Sequence, residues 1–328
     1  MPLRFIAAGL LCFTLLLACS RSKTASAAAP EAASSAGQAA PPEQQSGGQA
    51  NTPAAPRVNA ERAMQYTRDI VKFGPRPLGS AGHTKVEQYI LGHMRVDQVD
   101  QDKFTQQTSL GPFAMNNIIA KFPGTKDGIM VLASHYETNY WLRDTSFIGA
   151  NDGACTSALL LEIANQLRGK KLNGYSVWLV WDDGEESMKQ EWNTSDALFG
   201  TRHLAQKWQQ DGTAKKIKAL MVLDMVGYKN LDILREEHSV PWLEDLIYQA
   251  ASKFGYQSHF FNQSGSVEDD HLPFAQVGIP VADIIIGPYG YNDAYHHTTE
   301  DTLDKLSPRS LQIVGETVMQ AIAMINQR

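Results

Sequence analysis

The stretch from Tyr175 to Glu186, which reads YSVWLVWDDGEE, places the strongest constraint on the fold of this chain. It opens with an apolar run rich in β-branched and aromatic residues, Val177–Trp181, and then breaks into acids and a glycine. Such a run, ended by Asp and Gly, predicts a buried parallel strand. The acids then lie at the carboxyl end of the strand, where open α/β sheets bind their ligands. Taken alone, they are equally compatible with a solvated acidic turn.

The amino-terminal segment has the pattern of an export signal. One positive charge, Arg4, precedes an apolar run, Phe5–Leu17, that is too short for a convincing membrane span. The ending Leu-Leu-Ala-Cys resembles the lipobox of bacterial lipoproteins, which implies cleavage before Cys19 and lipidation of that cysteine. We therefore expect a protein anchored to the periplasmic face of a bacterial membrane, the outer membrane in a Gram-negative host because Ser20 follows. The alternative is an ordinary signal that is cleaved nearby and discards Cys19.

Composition divides the rest of the chain into two parts. Residues 20–56 are mostly Ala, Ser, Gln, Pro and Gly without an aromatic side chain, so we expect a disordered tether. Residues 57–328 are long enough for one α/β domain. The net charge of −6 argues against a nucleic-acid partner. After signal removal and lipidation only Cys155 is left, which excludes an intramolecular disulfide, and we expect a monomer.

Several predicted strands end at residues that can bind a metal or carry a proton. Ile129–Ser134 runs into His135, the opening strand into Glu185 and Glu186, and Ala219–Leu223 into Asp224. Val281–Ile286 comes shortly before His296 and His297. Scattered surface acids have no reason to follow strand ends, so this pattern favours a site at one edge of the sheet. Other predicted elements are a strand at 117–122 joined to 129–134 by a 124–128 turn, and helices at 58–72, 84–94, 154–167, 195–208, 241–254 and 308–326.

The residue types at these strand ends indicate a metal. Imidazole and carboxylate ligands without cysteine suit zinc or a similar divalent ion, and three protein ligands with one open position are typical of catalytic zinc. Adjacent side chains point in different directions, so one of Glu185 and Glu186 can hold the metal while the other transfers protons. Asp152, between Gly149 and Gly153, is a further candidate, although a helix N-cap would equally explain it.

The motifs HYE, GANDGA, DDGEE, LDMVG and YHHTTEDT resemble, in order and spacing, those of the zinc aminopeptidase clan. Within the clan, VEDDHLPF (Val267–Phe274) and SDALFGTRHLA after Trp192 look most like glutaminyl-peptide cyclotransferases, because Asp269 stands where aminopeptidases typically have a serine. The resemblance implies a three-layer α/β/α fold with a central mixed, mostly parallel sheet.

The resemblance also implies roles for individual residues. One zinc would be bound by Asp152, Glu186 and His297, and Glu185 would be the general acid and base. Asp224 and Asp269 would be hydrogen-bonded carboxylates of the catalytic network. The substrate pocket would include these side chains: Trp192, His296, Tyr289 and Tyr291.

This chain departs from the family pattern at three places. Glu137 stands where the family usually has Asp, and one residue is added before Trp192. His296 replaces a tryptophan of the cyclases, and the preceding loop is longer. His296 therefore competes with His297 for the metal, and Tyr289, Tyr291 or Tyr295 is left to supply an aromatic wall.

The implied activity is conversion of N-terminal glutamine in peptides or proteins to pyroglutamate, with release of ammonia. An aminopeptidase is the main alternative, and in it His135 and Asp224 would bind a second zinc beside the first. A third interpretation is a binding protein without a metal, which the intact set of Asp, Glu and His residues disfavours.

Overall fold

The computed structural model describes residues 57–95 and 97–328. The signal at 1–19, its Cys19 and the tether at 20–56 lie outside the described residues. A central six-stranded sheet and a small two-stranded sheet organise the described part. The strands of the large sheet are β1 (Gln98–Thr108), β2 (Gly111–Phe122), β3 (Gly124–His135), β4 (Leu172–Asp182), β5 (Ile217–Asp224) and β8 (Val281–Ile285). The small sheet pairs β6 (Ile233–Glu236) with β7 (Phe260–Gly265).

The large sheet is mixed, and its parallel half leads to the site. Its spatial order is β1-β2-β4-β3-β5-β8. β1, β2 and β4 pair antiparallel, whereas β4, β3, β5 and β8 pair parallel. The buried strand predicted at Val177–Trp181 is the core of β4, and it lies between β2 and β3.

Helices cover both faces of this sheet. They are α1 (Ala60–Val71), α2 (Ala81–His93), α3 (Cys155–Leu167), α4 (Phe199–Asp211), α5 (Pro241–Ser252), α6 (His271–Gln276) and α7 (Pro308–Ile325). Along β3, Met130 and Leu132 pack in the core on the side of α1, α3 and α7, while Val131 and Ala133 pack on the side of α4 and α6. Each fully buried side chain of this size stabilises the fold by about 1.5–3 kcal/mol. The predicted three-layer α/β/α class is confirmed.

Local chemistry explains where the first and last helices begin. The Asn59 side chain accepts a hydrogen bond from the backbone N–H of Arg62 and caps α1. Ser307 caps α7 in the same way, and Pro308 occupies its first turn, where a missing N–H costs nothing. Both starts lie within two residues of the predicted ones.

The predicted turn at residues 124–128 is wrong. Gly124 already begins β3, and β3 pairs with β4 and β5 instead of forming a hairpin with β2. A side chain at Gly124 would meet the carbonyl oxygen of Gly174 at 2.3 Å, so this glycine allows a close approach of β3 to β4. The helix predicted from Ser195 begins only at Phe199.

Within the described part of the chain, no helix combines the length and apolar character that a membrane crossing needs.

Candidate metal and catalytic site

Parallel pairing brings the predicted strand ends together. His135 at the end of β3 lies in register with Asp182 at the end of β4. Ala133 of β3 pairs with Val222 of β5, so His135 and Asp224 end their strands side by side. The loop after β4 carries Glu185 and Glu186, and the loop after β8 carries His297. The site thus forms at the carboxyl edge of the parallel strands.

One group of ligand-type atoms joins Asp152, Glu186 and His297. The Nε2 atom of His297 lies 3.5 Å from Asp152 Oδ2 and 3.3 Å from Glu186 Oε1. Both carboxylate oxygens are buried and have no hydrogen-bond partner in the described residues. Buried acidic oxygens without partners are costly unless a cation binds them. Two carboxylates and an imidazole around one point fit a zinc ion.

A second group shares Asp152 with the first. His135 Nε2 lies 3.2 Å from Asp152 Oδ1 and 3.3 Å from Asp224 Oδ1. Asp152 therefore directs one carboxylate oxygen to each group. Burial alone would raise the pKa of Asp152, but its hydrogen bond to His135 and the charges of His135, His297 and His296 together outweigh burial and hold that pKa below its usual range.

Backbone contacts place Asp152 at this position. Asp301 accepts hydrogen bonds from the backbone nitrogens of Asn151 (2.8 Å) and Asp152 (3.1 Å). Gly153 has a φ of 79° and lies against His135, where a side-chain carbon would come within 2.9 Å of the ring. The residue that caps α3 is Ala154, so Asp152 is not its N-cap.

The fully buried Arg76 holds the loop before Asp152. Its guanidinium donates to the carbonyl oxygens of Tyr136 (3.2 Å), Ile148 (2.5 Å) and Gly149 (3.1 Å). These three carbonyls belong to the segments on either side of the site. Arg76 therefore fixes the end of β3 relative to the loop that carries Asp152.

Glu137 and Asn139 position Glu185 and Glu186 by hydrogen bonds. The sequence predicted no role in the site for either residue. Glu137 Oε1 accepts hydrogen bonds from the backbone nitrogens of Glu185 (2.6 Å) and Glu186 (3.1 Å). Asn139 donates from its side-chain amide to Glu186 Oε2. The longer Glu at 137, noted in the sequence as a departure, reaches across from the end of β3 to the backbone of the next strand's loop.

Glu185 has the electrostatic surroundings of a proton carrier. Its carboxyl group is buried at the wall of the cavity, and burial, together with the neighbouring charge of Glu186, raises its pKa well above the usual range. A raised pKa makes a carboxylate a better base and its protonated form a usable acid near neutral pH. Burial likewise raises the pKa of Glu186 to about 7, against the opposing effect of His297.

Asp269 ends a line of titratable groups that begins at the surface. His238 Nδ1 lies 2.9 Å from Glu236 Oε1, and Glu236 Oε2 lies 3.2 Å from His271 Nε2. His271 Nδ1 lies 3.4 Å from Asp283 Oδ2, and Asp283 contacts Asp269. Burial raises the pKa of Asp269 to about 6, and repulsion from Asp224 adds to this effect.

A cavity of about 390 Å³ connects these groups to solvent. Trp192 forms part of its wall, and its indole nitrogen donates to Glu268 Oε2 at 2.7 Å. The predicted site residues on the cavity wall are Asp152, Glu185, Glu186, Trp192, Asp224, Asp269, His296 and His297. His135, which was also predicted to belong to the site, lies behind this wall beside Asp152.

The two histidines in sequence take different positions. His297 faces Asp152 and Glu186, whereas His296 Nδ1 lies 3.1 Å from Asp293 and its ring packs 3.9 Å from that of His297. His297 has a φ of 51°, a strained value for a residue with a side chain. His297 thus contacts both carboxylates, whereas His296 pairs with Asp293 and still places a ring nitrogen within 4.8 Å of ligand atoms of Asp152 and His297.

The structure does not bring Tyr289 or Tyr291 into the pocket. Tyr289 is 0% exposed, and its hydroxyl donates to Asp301 at 2.7 Å, behind the loop of Asp152. Tyr291 is 86% exposed, at the outer tip of its loop. The expectation that these two side chains line the pocket is wrong, because one is held in the core by its hydroxyl and the other faces solvent. Trp192 is the aromatic side chain on the cavity wall.

Fold and site together define a zinc-aminopeptidase-like architecture. The sequence profile of peptidase family M28 matches residues 117–322, and the chain belongs to this family.

Within the family, the chain is similar to glutaminyl cyclases. It is 30% identical over 254 residues to the glutaminyl-peptide cyclotransferase of Drosophila melanogaster, covering 69% of this chain and 70% of the fly protein. The crystal structure of an Acidobacteriales bacterium glutaminyl cyclase has 49% identity and a TM-score of 0.82, covering 87% of this chain and 100% of that chain. A Zn-dependent exopeptidase from Parabacteroides distasonis has 25% identity and a TM-score of 0.74, covering 84% of this chain and 100% of that chain. The family and this neighbour suggest zinc, in accord with the candidate ligand groups.

Proposed function

We propose that this chain is a glutaminyl cyclase that converts the N-terminal glutamine of peptides to pyroglutamate and ammonia. The observation that carries the proposal is the position of Asp269, which lines one cavity together with Glu185, Asp152, Glu186 and His297. The similarity of this chain to proteins named glutaminyl cyclases supports the same activity.

We propose one zinc ion, held by Asp152, Glu186 and His297. When bound, zinc supplies a Lewis acid that polarises a carbonyl oxygen and stabilises negative charge developing there. The orphaned oxygens of Asp152 and Glu186 support this choice of ligands. His135, Asp152 and Asp224 form a second group with similar spacing, so a measured ion count tests the proposal of a single zinc.

Glu185 moves the protons of the reaction. The α-amine of the substrate attacks the carbon of its own γ-carboxamide, and Glu185 accepts the proton that the new C–N bond displaces. The bond from that carbon to the amide nitrogen then breaks, and Glu185 returns the proton to the departing ammonia. One proton is taken and one is given back, so the carboxylate is regenerated.

The pocket supplies orientation. The attack is intramolecular, so the main requirement is to fold the glutamine side chain back on the amine and hold it there. Trp192, fixed by its hydrogen bond to Glu268, offers a flat wall for that folded side chain. No water is consumed in cyclisation, which separates it from hydrolysis.

The test follows peptide mass and ammonia during incubation of the purified protein with a glutamine-initiated peptide. We expect loss of ammonia with every residue retained. Removal of the whole first residue would replace this proposal with an aminopeptidase, for which the His135, Asp152 and Asp224 group offers a second metal position. Metal analysis of the same preparation gives the ion count, and we expect one zinc per chain.

We also propose that the chain is exported and lipid-anchored through Cys19, as a monomer, on the periplasmic face of a bacterial membrane. The apolar run 5–17 and the Leu-Leu-Ala-Cys ending support this. A Cys19→Ser variant should move from the membrane to the soluble fraction and lose the mass of the lipid. An unchanged distribution would contradict the anchor.

A further inference from the structure

A second cavity, of about 790 Å³, adjoins the catalytic pocket. Its walls are the loop of residues 187–196 and the turn between β1 and β2 at 107–109. Trp192 lines both cavities, and Ser187 of the second cavity directly follows Glu186 of the first. The two cavities therefore share a wall at the mouth of the site.

The 187–196 loop is held in place at several points. Ser187 Oγ donates to the carbonyl oxygen of Glu191 at 3.2 Å, and Asp196 Oδ1 accepts from the backbone nitrogen of Ser109 at 2.8 Å. Glu268 accepts from both Trp192 and Thr194. The loop is thus attached to the β1–β2 turn at one end and to the catalytic pocket at the other, and this preorganisation lowers the entropy cost of binding.

Three successive side chains on this loop face the cavity without a partner. Lys189, Gln190 and Glu191 are exposed, and the described residues offer none of their side chains a hydrogen bond or ion pair. A solvated lysine on its own does not indicate a binding site. Here the unpaired charges lie on an anchored loop and line a cavity that borders the catalytic pocket.

A peptide substrate needs a surface that binds the residues after its N-terminal glutamine. The catalytic pocket, about 390 Å³, is at the small end of ligand cavities. Each further residue of an extended peptide adds about 3.3–3.6 Å, so the later residues of a peptide that places its glutamine here extend beyond this pocket.

We propose that the second cavity binds the residues that follow the N-terminal glutamine, and that Lys189 selects peptides with an acidic side chain in this segment. This proposal rests on the proposed function. Gln190 can pair with the peptide main chain through its amide. Glu191 and the buried Asp196 also line the cavity, so an acidic side chain is favoured only where it lies beside Lys189, and a second acidic group is disfavoured. The substrate class is therefore a glutamine-initiated peptide with one acidic residue among positions two to four.

The experiment compares three substrates: glutamine amide, Gln-Ala-Glu-Ala amide and Gln-Ala-Lys-Ala amide. Glutamine amide fills only the catalytic pocket and reports the chemistry alone. The wild-type chain should prefer the acidic peptide over the basic one in kcat/KM. Lys189→Glu should lower the acidic-to-basic ratio by roughly five- to tenfold, because it removes an exposed attraction and adds a repulsion. Turnover of glutamine amide should not change.

Lys253→Glu is the matched control, since Lys253 is an exposed residue after α5 that lines neither cavity and makes the same charge change. An equal shift of the ratio in this control would assign the effect to net charge and overturn the subsite. An unchanged ratio in Lys189→Glu would also overturn it. Failure of the wild-type chain to release ammonia from glutamine amide would instead overturn the proposed function, and the subsite with it.

Discussion

Glu137 Oε1 lies 2.6 Å from the backbone nitrogen of Glu185. The same oxygen accepts from Glu186, so one carboxylate orients both glutamates of the site. Neither glutamate backbone is part of a helix or strand, and Glu137 replaces the partners that regular structure would have given.

Replacement of Glu137 by alanine should therefore impair catalysis without unfolding the chain. We expect kcat to fall by about 10–100-fold, the range found for partners that orient metal ligands. Circular dichroism checks the fold, and Glu137→Gln should recover part of the activity because its amide oxygen can still accept. Glu237→Ala, at an exposed position, is the control. A kcat equal to that of the wild type would show that the loop after β4 positions itself.

The two adjacent glutamates should respond differently to the same substitution. Glu185→Gln should reduce turnover by at least about 10²-fold while zinc content stays at the wild-type level, since it removes the proton carrier and not a ligand. Glu186→Gln should lose zinc in metal analysis after dialysis. The opposite distribution of zinc between the two variants would mean that their roles are exchanged.

Glu236 should make stability depend on acidity. Burial alone would raise its pKa, but hydrogen bonds from His271 and His238 outweigh burial and lower the pKa of Glu236 to about 2. A group whose pKa is lower in the folded chain stabilises the fold above its unfolded pKa, about 4.3, and loses that contribution as the pH falls toward the folded value.

Urea unfolding of the wild type and of Glu236→Gln measures this contribution. The wild type should be more stable at pH 7, and the difference should shrink between about pH 4.5 and pH 2. Using the difference between the two proteins removes the effect of other acids that titrate in that range. A difference that stays constant from pH 7 to pH 3 would contradict this account.

Arg76→Leu should destabilise the fold. The change removes the guanidinium donor from three carbonyl oxygens, of which only that of Gly149 keeps a backbone donor, the N–H of Ala154 at 3.3 Å, among the contacts described, and we expect the free energy of unfolding to fall by about 3 kcal/mol. Thermal or urea unfolding measures it. The free energy of unfolding of Arg76→Lys should lie between those of the wild type and Arg76→Leu, because one ammonium cannot reach all three carbonyls. Arg309→Leu, at an exposed position on α7, is the comparison.

The site could be predicted from the sequence because its parts follow strand ends. β3, β4 and β5 are continuous apolar runs, and His135, the two glutamates and Asp224 come where those runs stop. The family resemblance then selected Asp152 and Asp269, which the cavity brings to the same place.

The sequence was less informative where tertiary contacts decide the structure. β1 reads QVDQDKFTQQT, and its mostly polar residues give no apolar signal, because only its backbone pairing with β2 defines this edge strand. The same limit applies to Tyr289, which was predicted to line the pocket because it lies in a tyrosine-rich loop. The hydroxyl of Tyr289 donates a hydrogen bond to Asp301, twelve residues further along the chain, and this contact holds the ring in the core.

The order of strands has a consequence for how the chain is made. β4 is synthesised after β3 but fits between β2 and β3, so a nascent chain that ends before residue 172 leaves two unsatisfied strand edges facing a gap. We expect such an intermediate to be prone to aggregation until β4 is in place. When β4 inserts between β2 and β3, the loop that follows it also brings Glu185 and Glu186 into the site. The sheet and the site are therefore completed in the same folding step.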